Sequence, residues 1–343
     1  MSTVCGREIY SQPEAWAGAL SVVRQRQEAI RQIMAKSPVV FCGCGTSYYL
    51  ALAAARVYEA VVGVPALAVP GSELFVVADE VLGPNHRGVL VALSRSGESS
   101  ETVKAARFYK ERGFGSVVAL TAREDSALGR VGDLTVTLPW ADDQSVVMTC
   151  SFTTLLLTAW AMAAVVAGDQ DLMAELDKLP GLAPEALASG ALLAAELGQD
   201  LRYDQFIFLG MGSYLGLAYE GMLKLKEMTQ VPAEAYSPLE FRHGPISIVK
   251  PGTAVVLLCR EQGAEYSGAL VADIKRCGGR VVAVGHPTAN LEADHTLPLG
   301  DGLSDRSRGL LYLPFLQLLG LRRALALGRN PDQPANLNRV VLI

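Results

Sequence analysis

The chain is short of the residues that usually carry metal chemistry. It has four histidines in 343 residues, and its six cysteines (Cys5, Cys42, Cys44, Cys150, Cys259, Cys277) are scattered with no CxxC pair. Zinc sites and disulfide frameworks need regular spacings, so reduced thiols and no bound metal are expected. Cys42-x-Cys44 admits a metal reading, but two small buried hydrophobes at a strand end account for it better. Basic residues are also outnumbered: 30 Lys and Arg against 35 Asp and Glu give a net charge of −5. A nucleic-acid partner, which would need a basic face, is not expected. No apolar run reaches the roughly 18–20 residues needed to cross a bilayer, and 155–167 reads as a buried helix. The first residues lack the basic start and apolar core of a signal peptide. A cytoplasmic protein without a membrane partner is the expectation.

Half the residues are hydrophobic and 19% are charged, enough to fill two large cores. Ser11-Gln-Pro-Glu14 reads as a capping box opening a helix to about Ala35. Val39–Cys42 is an apolar run stopped by Gly43-Cys-Gly45, and helical spacing follows from Ser47 to Val62. Further short apolar runs lie at 66–69, 88–93, 116–121 and 133–138, with helical segments at 101–112 and 152–167. The second half repeats the plan, with a strand at 206–209, the turn Gly210-Met-Gly212 and a helix over 214–228. Strands follow at 253–259 and 280–285, then a helix near 310–327. Strands alternating with helices imply parallel βαβ units in a doubly wound sheet. Leu179-Pro-Gly-Leu-Ala-Pro184 reads as a linker.

The halves also match residue by residue. A shift of 167 positions superposes Phe41 on Phe208, Gly43 on Gly210, Gly45 on Gly212 and Val64-Pro65-Ala66 on Val231-Pro232-Ala233. Two copies of one fold are implied: an N-terminal helix (1–36), a first domain (37–178), a second (185–329) and a tail (330–343). Ligands of such sheets bind beyond the carboxyl ends of the strands, where both glycine turns fall.

Gly43-Cys-Gly-Thr-Ser47 places free backbone N–H groups, a helix dipole and the hydroxyls of Thr46 and Ser47 at one turn. Position 48 is tyrosine, so the GxGxxG fingerprint fails and no nicotinamide cofactor is expected; nor is any other cofactor. Ser94-Arg-Ser-Gly-Glu-Ser-Ser100 forms a second strand-to-helix turn, with Gly97 allowing close backbone approach to an anion. A solvated loop with a serine cap is the plainer reading, but two such turns on neighbouring strands favour phosphate. The second half has Cys259-Arg-Glu-Gln-Gly263 there instead, so only the first domain should hold phosphate. In Gln144–Thr154, Thr149 and Ser151 read equally well as helix caps. Glu220, Lys224 and Glu227 share one helix face, which on most helices would be a solvated stripe. The loop Glu234–Pro245 follows, and within it His243 alone of the histidines sits among dense polar residues. A carboxylate, an ammonium and an imidazole suit general acid–base work on a sugar phosphate.

These motifs together resemble the sugar-isomerase (SIS) family, closely its double-domain members. Cys-Gly-Thr-Ser, Ser-x-Ser-Gly-Glu, Glu-Gly-x-Leu-Lys-x-Lys-Glu, His-Gly-Pro and Asp-Gln-Pro-x-Asn-Leu occur in family order. The resemblance implies two tandem flavodoxin-like α/β domains. It places phosphate ligands on Ser47, Ser94, Arg95, Ser96 and Ser99 with Thr46 beside them, and substrate contacts at Val146 and Thr149. The proton-shuttling base falls on Glu227, the ring-opening histidine on His243, and Lys224 on a pocket lysine. In the glucosamine-6-phosphate synthase of this family the histidine comes from the neighbouring subunit, which implies a homodimer with a shared site. Arg339 stands where that synthase has a closing lysine, Arg95 where it has glutamine, Ser99 where it has threonine and Cys150 where it has lysine. No glutaminase domain is expected. The stand-alone branch of deaminases and ketose/aldose isomerases fits better, with glucosamine 6-phosphate as the expected substrate. A fructosamine-6-phosphate deglycase, a ketose/aldose phosphosugar isomerase and a non-enzymatic sugar-phosphate sensor are the alternatives.

Overall fold

The computed structural model describes residues 3–35, 37–288, 291–341 and 343. The chain divides into two compact units. The first comprises Ser11–Pro180 with Asn338–Ile343, and the second the segment ending at Tyr10 with Gly181–Leu337.

Helix α1 (Val4–Tyr10) precedes α2 (Gln12–Met34), so the N-terminal segment holds two helices where one was expected. Pro at the start of α2 fits the reading, but the capping box does not form. Ser11 is itself helical (φ −82°, ψ −5°), and its hydroxyl lies 3.6 Å from Cys150 Sγ. An N-cap needs an extended residue, and here a helix already precedes it.

In the first unit β1 (Val39–Gly43), α3 (Thr46–Val62), β2 (Ala66–Pro70), α4 (Glu73–Val76) and α5 (Ala78–Val81) lead to β3 (Gly88–Ser94). There follow α6 (Ser100–Glu111), β4 (Gly115–Thr121), α7 (Ala127–Val131), β5 (Leu134–Thr137) and α8 (Cys150–Ala167). The five strands pair in parallel in the order β2-β1-β3-β4-β5. Strand β1 is buried along its whole length, as a central strand covered on both faces must be. Helix α8 is long and apolar enough to cross a membrane, but it is 89% buried and packs on α2 and α3. It starts two residues earlier than the helical segment expected at 152–167, at Cys150.

Helix α9 (Gln170–Gln199) runs through the expected linker, so Pro180 and Pro184 lie inside one 30-residue helix, while the boundary between the two units still falls there, between Pro180 and Gly181. Prolines four residues apart share a face, and each removes one N–H without ending the surrounding turns.

The second unit continues with β6 (Gln205–Leu209), α10 (Ser213–Thr229), β7 (Ala233–Tyr236) and β8 (Thr253–Cys259). Then come α11 (Ser267–Arg276), β9 (Arg280–Gly285), β10 (His295–Leu297) and α12 (Leu313–Ala326). Its parallel sheet runs β10-β9-β8-β6-β7. Val39 and Phe41 face Ala66 and Ala68 as Phe206 and Phe208 face Ala233 and Ala235, which is the 167-residue shift realised in strand register. Gly221 and Gly320 let α10 and α12 meet at backbone distance: a β-carbon on Gly320 would lie 3.2 Å from the Lys224 carbonyl oxygen.

Candidate functional site

In the first unit the two predicted turns lie at the carboxyl ends of β1 and β3, adjacent strands at the point where the strand order reverses. Thr46 and Ser47 are buried in the first turn of α3, behind Gly45 (φ +54°), and Ser47 Oγ lies 3.8 Å from Met148 Sδ. Ser94 Oγ accepts the Gly97 N–H at 3.1 Å and donates to Ser99 Oγ at 3.4 Å, while Ser96 Oγ accepts the Glu98 N–H at 3.1 Å. Ser99 stands at the N-cap of α6 without a side-chain cap bond. Hydroxyls and two helix N-termini thus gather in one loop cluster, as a phosphate cradle requires. Gly97 has φ +66°, and a β-carbon there would meet Ser126 Oγ at 2.1 Å. Both the positive φ and the Ser126 contact demand glycine at this position.

Arg95 is almost fully buried, and its guanidinium turns to backbone carbonyls: Ser145 and Val146 at 3.2 Å each and Arg339 at 3.0 Å. Arg339 in turn donates to Asp142 Oδ1 and the Asp143 carbonyl, both at 2.5 Å. Arg95 therefore ties Val146 and the chain end to the serine turn.

Sequence reasoning missed Asp143. Thr149 and Ser151 do not cap α8. The buried Asp143 carboxylate accepts the N–H groups of Thr149, Cys150 and Ser151 at 2.8, 3.1 and 3.0 Å, and the Ser151 hydroxyl at 2.5 Å. The tandem acids at 142–143, six residues before a threonine-rich helix start, were the available signal.

In the second unit Glu220, Lys224 and Glu227 are not a solvated stripe. Glu220 and Lys224 are fully buried on α10, and Glu227 is 18% exposed. The Lys224 ammonium bonds Glu227 Oε2 and lies 3.6 Å from Glu220 Oε1. Burial favours the neutral amine, yet the charges of Glu220 and then Glu227 outweigh it and hold Lys224 above the ordinary lysine range. Cys5 on α1 lies close enough to act on that ammonium, and Asp332 anchors α1 by accepting the Val4 and Cys5 N–H groups at 2.9 and 2.8 Å. His243 follows the 3₁₀ turn Glu240–Arg242 and precedes Gly244 (φ +119°). It is exposed, and no side-chain hydrogen bond, ion pair or ring contact to it is present among the described residues.

One unit carries a serine-rich turn beside two helix N-termini, and the other carries a carboxylate beside a buried ammonium. Among known proteins the chain is 31% identical over 98% of its length to a glutamine–fructose-6-phosphate aminotransferase (isomerizing) from Pyrobaculum aerophilum, of which it covers 57%. It thus spans little more than half the length of such curated relatives. A glucosamine-6-phosphate deaminase structure from Thermotoga maritima superposes with TM-score 0.82 at 28% identity, covering 99% of this chain and all of that one. A tagatose-6-phosphate ketose/aldose isomerase from Escherichia coli gives TM-score 0.88 at 25% identity, covering 98% of this chain and 96% of that one. The SIS domain family model matches residues 32–165 and 202–296, one segment on each repeat, and the chain belongs to the SIS domain family.

Proposed function

We propose that the chain is a phosphosugar isomerase of the deaminating kind, converting glucosamine 6-phosphate and water to fructose 6-phosphate and ammonia. The observation that carries this reading is the buried Glu220–Lys224–Glu227 triplet, in which a carboxylate with some exposure is held by an ammonium that stays charged. A solvated surface stripe would have no such arrangement. In this reading Thr46, Ser47, Ser94, Ser96 and Ser99 hold the phosphate, and Arg95, Val146, Thr149 and Arg339 shape that loop. His243, supplied by a second copy of the chain, moves a proton from O1 to O5 as the pyranose opens. Glu227 takes the C2 proton of the open aldehyde and returns it to C1. The carbonyl oxygen O1 gains the proton that the amine loses, so a 2-ketimine forms, and water releases ammonia from it. Lys224 stabilises the negative charge that develops on O1.

The neighbouring structure of a glucosamine-6-phosphate deaminase supports the deaminating form. The isomerase neighbour favours a second reading in which the same C1/C2 shift runs on a ketose phosphate without loss of nitrogen. Incubation with glucosamine 6-phosphate should release ammonia and fructose 6-phosphate in equal amounts. Ketose–aldose interconversion with no ammonia from any amino sugar phosphate would select the second reading.

A further inference from the structure

Strand register equates the loop after β8 with the serine turn after β3. Phe41 faces Val91 in the first sheet as Phe208 faces Val256 in the second. Three residues on, Ser94 matches Cys259, and Arg95 matches Arg260. Ser96-Gly97 of the serine turn then match Glu261-Gln262. The backbone N–H groups of Glu261 and Gln262 do converge on an anion, but it is one the chain supplies. Asp305 Oδ1 accepts from Glu261 N and Oδ2 from Gln262 N, each at 3.1 Å. Arg308 Nη1 donates to Oδ1 at 3.2 Å, and Arg260 Nε to Oδ2 at 3.4 Å.

The surroundings are built to hold a negative charge. The Arg308 side chain is fully buried, fixed by the carbonyls of Gly300 and His286 at 2.9 Å each and by Glu261 Oε1 at 2.7 Å. Arg260 is anchored on the Met211 carbonyl at 2.8 Å, beside the glycine turn that opens α10. Two guanidinium groups and two consecutive N–H groups around one carboxylate form the same donor set that recognises a phosphate. Glu261 offsets one of the two positive charges, and Asp305 offsets the other.

We infer that this loop is the second repeat's own anion cradle, kept shut by the carboxylate of Asp305. Each chain then offers one phosphate site, and removing that carboxylate opens a second for a tetrahedral anion. The count for the unaltered chain rests on the reading of the serine turn as the phosphate cradle; the opened site does not.

Inorganic phosphate is the probe, with binding counted by equilibrium dialysis on the full chain. Asp305→Ala should take up one more phosphate per chain than the unaltered protein. It should do so equally in a Ser96→Ala, Ser99→Ala background, where the first cradle is disabled. Its melting temperature, lowered by the loss of the carboxylate, should recover saturably with phosphate and not with chloride. Should Asp305→Ala not fold in chloride, the smaller loss of polarity in Asp305→Ser provides the same comparison. An unaltered count in folded Asp305→Ala or Asp305→Ser overturns the inference. An unaltered chain that binds no phosphate, while the variant binds one, overturns only the reading of the serine turn.

Discussion

At the scale of single residues the site turns on Lys224. Replacing it with methionine removes the one positive charge between two carboxylates, both on the same helix face and one fully buried. Breaking a buried ion pair from one side typically costs about 3–5 kcal/mol, so Lys224→Met should lose stability on that order in chemical denaturation. The two carboxylates would then repel each other, which raises the affinity of one of them for a proton. The rising limb of the rate–pH profile should therefore move to higher pH in the variant. In the parent enzyme Lys224 itself adds no limb near neutrality. A lysine whose folded value is raised contributes its stabilisation fully below the ordinary value of about 10.4, and loses it only as pH climbs through the folded value. An unmoved acid limb in Lys224→Met would separate Glu227 from the rate-determining proton transfer. A second residue-scale test addresses Glu227 directly. Glu227→Gln should bind substrate yet lose C2–hydrogen exchange with deuterium oxide by more than about 10²-fold, the usual floor for a removed general base. Exchange at the parent rate would transfer the role to Glu240, which lies exposed in the 3₁₀ turn before His243.

At the scale of elements, the legible features were those set by short-range chemistry. Glycine turns between an apolar run and a helical run gave β1, β3, β6 and their following helices to within a residue or two. What failed depended on neighbours that no short local pattern contains. Ser11 looks like a cap, but α1 precedes it. The prolines of α9 look like irregular chain because local signals cannot show what packs beside a helix, although the boundary between the units does fall among them. The charged face of α10 reads as solvated, but α12 packs on that helix and Cys5 of α1 comes close to Lys224. The α8 cap makes the same point, since Asp143 lies seven residues before Cys150 and no short capping pattern contains it. Asp143→Ala should cost about 2–4 kcal/mol in unfolding of the first unit, for three N–H groups and a hydroxyl lose their acceptor together. Asp143→Asn, which keeps one acceptor oxygen and the shape, should recover about half of that. A loss below about 1 kcal/mol would mean that another group takes over the cap. Gly97→Ala tests the serine turn from the other side. Its positive φ and the Ser126 hydroxyl both oppose a β-carbon, so about 2 kcal/mol of strain should appear, with a raised KM for the phosphosugar.

At the scale of the whole molecule, the duplicated sheet explains how one fold divides its labour. The strand registers coincide, yet the loops at the carboxyl ends have diverged: serines after β3, arginine and glutamate after β8. The residues proposed to move protons lie instead on α10 and in the loop that carries His243. That loop suggests the last test. An imidazole meant for catalysis needs a fixed orientation, and His243 is exposed with no side-chain hydrogen bond or ion pair among the described residues. In the proposed mechanism a second copy of the chain supplies its surroundings. Glu227→Gln and His243→Ala chains, each inactive alone, should regain activity when unfolded together and refolded as mixed dimers. If the two subunits share their sites, one site in each mixed dimer carries both native residues, and about a quarter of parent activity is expected from a statistical mixture. Mixed dimers that are verified by mass and remain inactive would place His243 in the site of its own chain.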